Sequence, residues 1–581
     1  MKRIVILLMV LMILAVQLAY ADKGHIKLLA VKEIGENSYE GSVADLYLEI
    51  KPGTGKVFLE TFPLSKIDTQ ISTRFAKEIA CNYIDKDCDS YDFFYIMNAE
   101  SSIVGGPSAG AAVAVLTASV LNKWAINESV AITGTINSGG LIGPVGGLSE
   151  KVEGASTYNV SKVLISKGSK FVIEENMTFD LEDYGKKYNI SVVEIIELND
   201  ALYFFTGHKI KEEEKELKID EQYTNIMKML SEELCNRSEA LSKEVSKSNL
   251  KEKDIAQIKS EALNLTLKGK AKIDEGKYYS SASYCFGANT RYRELLFRSN
   301  DNNLNKFLEV QKNIDAVENQ SAIVQISTIT DLEAYMIVKE RLEDAKNFLK
   351  KSLDNYKEGK NYSSQLAYAY ERTYSAETWM FFLGKKGRKF VFNEEILMKA
   401  CRDKLAEADE RMQYVGIYFP EMLADTKKEI SLAYKDFENK DYELCLFRAS
   451  KAKAEADSVV TVIGVAEDDA KDIISNRLSV VKRIITEQKE GVFPILGYSY
   501  YEYADSLKEE DIFSALLYSE YALELSNLDI YFKEKDNNLL NKFNFRINYS
   551  FILLFISGAI IGFVIGYSVK KRGLKVKRKR K

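Results

Sequence analysis

Gly105-Gly106-Pro107-Ser108-Ala109-Gly110, running directly into Ala111-Ala112-Val113-Ala114-Val115-Leu116, is the stretch that sets the reading of this 581-residue chain. A glycine-rich turn followed by an unbroken run of small and apolar residues predicts a turn that feeds a helix over 108–124. Ser108 then stands at the helix N-terminus, where unpaired N–H groups and the helix dipole favour negative charge. A serine hydroxyl there either caps the helix or acts as a nucleophile whose oxyanion meets backbone N–H groups.

Outward from this turn, β-rich runs alternate with helix-like ones. Lys56-Val-Phe-Leu-Glu60, Val130-Ala-Ile-Thr-Gly134, Lys162-Val-Leu-Ile-Ser166 and 190–196 read as strands, and 69–83 reads as a helix. Strands interleaved with helices predict a mixed α and β domain over 22–207.

A second glycine-rich stretch, Gly139-Gly-Leu-Ile-Gly-Pro-Val-Gly-Gly-Leu-Ser-Glu-Lys151, carries five glycines and a proline ahead of a short helix over 150–155. Lys151 is either a surface lysine or a base held against an apolar floor, where desolvation lowers its pKa. Other chemistries lack their residues. The chain has two histidines, His25 and His208, neither in a glycine-rich turn, and it has no H-E-x-x-H and no G-x-x-x-x-G-K-[ST]. Zinc peptidases of the first kind and P-loop motors are thereby excluded. The turn before Ser108 would also suit a phosphate, but no metal-binding carboxylate set accompanies it. Neither a cofactor nor a metal is expected.

Taken together, Gly106-Pro-Ser-Ala-Gly110 and Gly146-Gly-Leu-Ser-Glu-Lys151 resemble the two signatures of the Lon protease proteolytic domain. The resemblance implies that Ser108 is the nucleophile and Lys151 its base, a Ser-Lys dyad. It also implies that Gly106, Pro107, Ala109 and Thr133 support the site and its oxyanion. Thr133-Gly134 falls between the signatures, where the family has Thr-Gly. The sequence departs from the family at Gly105 and Thr135, where acidic residues are usual, and at Ser149, where lysine is common. By the same resemblance the substrates are proteins or peptides, and the domain tends to form homo-oligomeric rings of six. Nothing resembles the ATPase part of Lon.

After the 22–207 domain the texture changes. Between Pro144 and Pro420 there is no proline, and only Pro494 follows, which permits long helices. Gly276-Lys-Tyr-Tyr-Ser-Ser-Ala282, Gly359-Lys-Asn-Tyr-Ser-Ser-Gln365, Asn439-Lys-Asp-Tyr-Glu-Leu-Cys445 and, more faintly, Glu509-Glu-Asp-Ile-Phe-Ser-Ala515 form a weak repeat. Each is a polar turn followed by a helix rich in alanine and aromatic residues. Stacked hairpins produce that pattern, because each pair buries its apolar stripe on the next. The expected fold class is an α+β Lon-type proteolytic domain, then an all-α helical-hairpin or bundle region over 208–547, then one C-terminal transmembrane helix.

The ends suggest a membrane. Met1-Lys2-Arg3, an apolar run and Ala19-Tyr20-Ala21 read as a signal peptide over 1–21. Residues 551–569 carry no formal charge and sit in a span placed at 548–569, followed by a basic tail over 570–581 without an acid. Such a tail stays cytoplasmic, which places the catalytic domain outside the cytoplasm. Of 80 Lys+Arg, two lie in the signal and nine in the tail, leaving 69 against 85 Asp+Glu and an exported charge of −16. That balance argues against nucleic acid as a partner. The six cysteines are too few for a disulfide scaffold, although Cys81 and Cys88 are close enough to bridge. The expected function is a membrane-anchored, ATP-independent serine endopeptidase acting on unfolded segments or exposed loops. The alternative is a catalytically weak or inactive Lon-like domain on a membrane-bound helical scaffold for protein interaction.

Overall fold

A computed structural model describes residues 22–35, 38–174, 177–211, 216–248, 250, 252–299, 303–462 and 467–532, with six helical residues between 558 and 567. The chain divides into two compact units. One spans Lys23–Glu534; the other combines Met1–Asp22 with Lys535–Lys581. In the second unit Gly558, Ala559, Gly562, Phe563, Gly566 and Tyr567 are helical and exposed. The signal peptide over 1–21 and, apart from those six residues, the 548–569 span lie outside the described residues. Among the described residues, no helix is long and apolar enough to cross a membrane.

The larger unit begins with a seven-stranded sheet. Its strands are β1 (Asp22–Gly35), β2 (Ser38–Pro52), β3 (Val57–Ser65), β4 (Tyr91–Val104), β5 (Val130–Ile132), β8 (Lys162–Ser166) and β11 (Ser191–Ile195). Two short hairpins intervene: β6 (Thr135–Ile136) with β7 (Ile142–Gly143), and β9 (Phe171–Glu174) with β10 (Met177–Asp180). The sheet order is β11-β8-β5-β1-β2-β4-β3. β1, β5, β8 and β11 run parallel, whereas β2 opposes β4. Successive side chains on a strand point to opposite faces, and both faces are covered. Leu28, Ile132 and Leu164 join one core, while their neighbours Leu29, Ala131 and Val163 join another.

Helices α1 (Ile67–Tyr83), α2 (Gly110–Asn122), α3 (Leu148–Ala155), α4 (Leu181–Lys186) and α5 (Leu198–Thr206) complete this part. In α2 every residue from Gly110 to Val120 is buried, as its lack of a polar face predicts. The expected strands at 56–60, 130–134, 162–166 and 190–196 and the helix at 69–83 correspond to β3, β5, β8, β11 and α1.

The rest of the unit is helical, and the repeat marks its turns. Glu252–Asp274 pairs with Tyr278–Arg298, Ile329–Lys357 with Ser363–Trp379, Ala424–Glu438 with Tyr442–Val462, and Ile495–Leu507 with Ile512–Leu525. Gly276, Gly359 and Lys440 adopt positive φ at three of these turns. The left-handed residue ends one helix and lets the chain reverse. Several tyrosines pack against one another at the hairpin contacts. Tyr279, for instance, makes edge contacts with Tyr500, Tyr503 and Trp379 at ring-centroid distances of 5.8, 5.9 and 6.3 Å.

Cysteine usage is where the sequence reading falls short. All six are bridged: Cys81–Cys88, Cys235–Cys285 and Cys401–Cys445, with Cα separations of 6.1, 5.0 and 5.7 Å. The last two staple Glu221–Ser246 to Tyr278–Arg298 and Glu394–Tyr418 to Tyr442–Val462. They span 50 and 44 residues, so by chain entropy each stabilises the fold by about 4 kcal/mol. Reduction is therefore expected to lower the urea midpoint of the helical region markedly. Urea melts with and without reductant check this, and Cys235→Ser/Cys285→Ser should reproduce part of the shift.

Candidate active site

Ser108 sits in a single 3-10 turn, Pro107–Ala109, immediately ahead of α2. Gly106 enters that turn at φ 97°, ψ 154°, with open space where a Cβ would stand. Glycine is thus required here by backbone conformation and not by crowding. No side chain caps either the turn or α2, so the capping role is not taken and the half-buried Ser108 hydroxyl is left for other work.

The Thr133-Gly134 pair clasps the turn from the side. Gly134 N donates to the Ser108 carbonyl at 3.1 Å, and Ala111 N donates to the Gly134 carbonyl at 3.1 Å. Thr133 is 1% exposed, and its hydroxyl has no hydrogen-bond partner among the described residues. A buried hydroxyl left unpaired costs about 1–3 kcal/mol.

Lys151 lies in the first turns of α3 and is 4% exposed. Burial lowers its pKa to about 8, with Glu150 pulling the other way. Backbone contact makes that burial possible. A Cβ on Gly41 would fall 1.8 Å from the Glu150 carbonyl, and one on Gly154 would meet Gly41. Gly147 caps α3 at φ 65° and lies against Val31. The Ser108 hydroxyl and the Lys151 amine are not hydrogen-bonded to one another among the described residues; catalytic contacts often tighten only with substrate.

Lys151 titration gives a measurable signature. If the free amine is the working base, activity should rise through a midpoint near pH 8, from about one tenth of the plateau at pH 7. The same shift acts on stability. The folded pKa lies below the unfolded value of 10.5, so the unfolded chain binds more protons between about pH 8 and 10.5, and stability rises with pH across that window. Below pH 8 the full penalty applies, about 3 kcal/mol. Lys151→Met is therefore expected to stabilise the fold at pH 7, and melts at pH 7 and pH 10.5 check it.

The loop between the two residues is built jointly with the helical region. Thr135 and Ile136 pair with Gly143 and Ile142, and Ile136 packs on the space beside Gly110. Arg411 donates to Thr135 Oγ1 at 3.3 Å and to Asn137 Oδ1 at 3.1 Å, while pairing with Asp457 at 2.5 Å. Gly146 N donates to Tyr414 Oη at 2.7 Å, and Ser138 Oγ donates to Glu524 at 3.0 Å. Arg483 donates to the Gly139 carbonyl at 2.7 Å and pairs with Glu197 at 3.0 Å. At Gly139 a Cβ would lie 2.3 Å from Ile484. Beneath the loop, Lys404 and Lys453 both reach Glu524 at 2.9 Å, and this pairing holds the Glu524 carboxyl down at about 2 despite its burial.

None of these helical residues is legible as a site residue from sequence. Lys404, Glu407 and Arg411 recur every three or four positions, the spacing of a solvated charged stripe. Thr135, one of the two positions where an acidic residue was expected, instead bonds Arg411.

The histidines are engaged elsewhere. His25 bonds Asp45 at 2.8 Å and Glu128 at 3.1 Å, and His208 stacks on Trp124. Among the described residues, no group of three His, Cys, Asp or Glu side chains could hold a metal ion.

Comparison with known proteins identifies the family of the segment that carries both residues. Residues 71–196 match the Lon protease (S16) C-terminal proteolytic domain. The chain is 34% identical over 114 residues to the Lon protease of Amoebophilus asiaticus, covering 20% of this chain and 14% of that protein. It is 27% identical over 184 residues to the archaeal Lon protease of Archaeoglobus fulgidus, covering 31% and 28%. With the Lon protease of Helicobacter pylori it shares 31% identity over 149 residues, covering 25% and 18%. The chain thus spans less than a third of the length of each of these relatives.

Proposed function

Since residues 71–196 are a Lon protease family proteolytic domain, we propose that this chain is an ATP-independent serine endopeptidase working through Ser108 and Lys151. The observation that carries this reading is the burial of Lys151 at the head of α3, which lowers its pKa to about 8. A desolvated lysine near neutral pKa can accept a proton from serine. Ser108 Oγ attacks the scissile carbonyl while Lys151 Nζ takes the hydroxyl proton. N–H groups of the Ser108 turn meet the oxyanion, with Gly106, Pro107 and Ala109 shaping that turn and the unpaired Thr133 hydroxyl supporting it. The ammonium then returns its proton to the leaving amine. Water, deprotonated by the same lysine, releases the acyl group from Ser108.

The proposal extends to place and substrate. Three disulfides suit an oxidising compartment. With the apolar stretch over 551–569 and its basic flank, they support a membrane-anchored enzyme whose catalytic domain lies outside the cytoplasm. This chain carries no G-x-x-x-x-G-K-[ST] motif, which supports unfolded segments or exposed loops as the substrates. Assembly into a ring is the expectation carried by the family.

The test is digestion of unfolded casein by the purified full chain without ATP, beside Ser108→Ala and Lys151→Ala. Cleavage lost in both variants supports the reading. Equal residual traces in all three from pH 7 to pH 10 would favour the inactive scaffold.

A further inference from the structure

Nine Asn-x-Ser/Thr tripeptides occur in the chain, the acceptor pattern for an N-linked glycan in an exported protein. Those at Asn176 and Asn548 begin outside the described residues. The other seven asparagines, Asn127, Asn159, Asn189, Asn236, Asn264, Asn319 and Asn361, are all exposed. By contrast Asn137, Asn199, Asn289 and Asn527, none of them in such a tripeptide, are buried. The hydroxyl two positions on divides the seven. Ser238, Thr266, Ser321 and Ser363 are buried, whereas Ser129 is half-buried and Ser161 and Ser191 are exposed. A transferase that reads asparagine and hydroxyl together on the folded chain thus finds Asn127-Glu-Ser129, Asn159-Val-Ser161 and Asn189-Ile-Ser191.

The fold gathers these tripeptides into one row. They run into the starts of the parallel strands β5, β8 and β11. Ser161 N donates to the Ser129 carbonyl at 2.9 Å, and Ser191 N donates to the Ser161 carbonyl at 2.9 Å. Each serine is therefore one strand spacing, about 4.8 Å, from the next. Asn159 and Asn189 adopt φ of 58° and 59°, a left-handed conformation that asparagine tolerates better than most residues. That accounts for asparagine at both positions but not for an exposed serine two residues on. At Asn127 the two groups already meet: its Oδ1 accepts from Ser129 N at 3.1 Å and from Ser129 Oγ at 2.8 Å. The row lies away from the catalytic turn. Ser129 precedes β5, while Gly134, past the other end of β5, donates to the Ser108 carbonyl.

We propose that this row carries N-linked oligosaccharide, its acceptors being Nδ2 of Asn127, Asn159 and Asn189. The bulky, solubilising sugar covers one end of the sheet and leaves the Ser108 turn open at the other. Because neighbours stand one strand apart, a single molecule need not fill all three. The donor is an oligosaccharide joined through its anomeric carbon to a lipid phosphate, and a membrane-bound transferase uses it. Asn Nδ2 forms the bond to the anomeric carbon as the bond from that carbon to the phosphate oxygen breaks. The lipid phosphate leaves with that electron pair, and Nδ2 gives up one proton to a base of the transferase. Such transfer takes place on exported chains, so it rests on the placement outside the cytoplasm proposed above.

The test isolates the full chain from its own cells after thiols are blocked, and maps sugar-bearing asparagines and disulfides by mass spectrometry. Wild type is compared with Ser129→Ala/Ser161→Ala/Ser191→Ala, which destroys the acceptor pattern and keeps every asparagine. A second variant changes the same three serines to threonine, which preserves the pattern. The expected result is sugar on asparagines of the row, lost in the alanine variant and kept in the threonine variant.

Bare asparagines in the row beside bridged Cys235–Cys285 and Cys401–Cys445 overturn the proposal and leave the export reading standing. Bare asparagines beside free thiols overturn both, since a chain held in the cytoplasm stays reduced. Sugar confined to Asn236, Asn264, Asn319 or Asn361 overturns the proposal, and so does sugar lost equally from the alanine and threonine variants.

Discussion

Replacing Ser108 with alanine is expected to reduce peptide cleavage by at least about 10⁴-fold, to whatever the remaining site groups supply. Melting should change little, within about 0.5 kcal/mol, because the hydroxyl caps neither its own turn nor α2. That combination separates a nucleophile from a structural serine. A cap residue changed to alanine would instead cost about 1 kcal/mol and leave the chemistry untouched. Initial rates on an unfolded substrate and a urea melt of the same preparation give both numbers.

Arg411→Met is the second large effect, and it acts from outside the matched domain. Arg411 is buried, pairs with Asp457, and holds Thr135 and Asn137 by their side chains. Removing one partner of a buried pair leaves the other uncompensated, at a cost of about 3–5 kcal/mol. The loop it releases follows Gly134, whose N–H fixes the Ser108 carbonyl. A misplacement of about 1 Å in such a segment can lower turnover about 10²-fold. The plateau of the pH profile should therefore fall while its midpoint near pH 8 stays, since Lys151 keeps its surroundings on α3. A midpoint that moves with the plateau would show that Arg411 acts through the charge of Lys151 instead.

These two residues also show what the sequence discloses and what it does not. Ser108 and Lys151 stand in local signatures with glycines that have backbone reasons: positive φ at Gly106 and at Gly147. Such reasons act over a few residues, so the motif can be read locally. The hairpin turns at Gly276 and Gly359 are legible on the same ground. Arg411 was not, because a charge three or four positions from other charges is normally solvated, and only the approach of the 134–148 loop buries it. The pairings of Cys235 with Cys285 and of Cys401 with Cys445 depend likewise on which helices pack together. The 29 residues of β1 and β2 carry no strand in the sequence reading, although Ser42-Val-Ala-Asp-Leu-Tyr-Leu-Glu-Ile50 has a legible alternation, with buried Ala44, Leu46, Leu48 and Ile50. Their charged outward positions, such as Asp45 and Glu49, diluted the signal.

The measurement closest to the central claim is the rate at which a fluorophosphonate labels the full chain, with the adduct mapped by mass spectrometry from pH 6 to pH 10. The expected result is one adduct on Ser108, a rate that climbs through a midpoint near pH 8, and loss of that rise in Lys151→Met. An adduct elsewhere, or labelling of Ser108 that ignores pH and survives Lys151→Met, would contradict it.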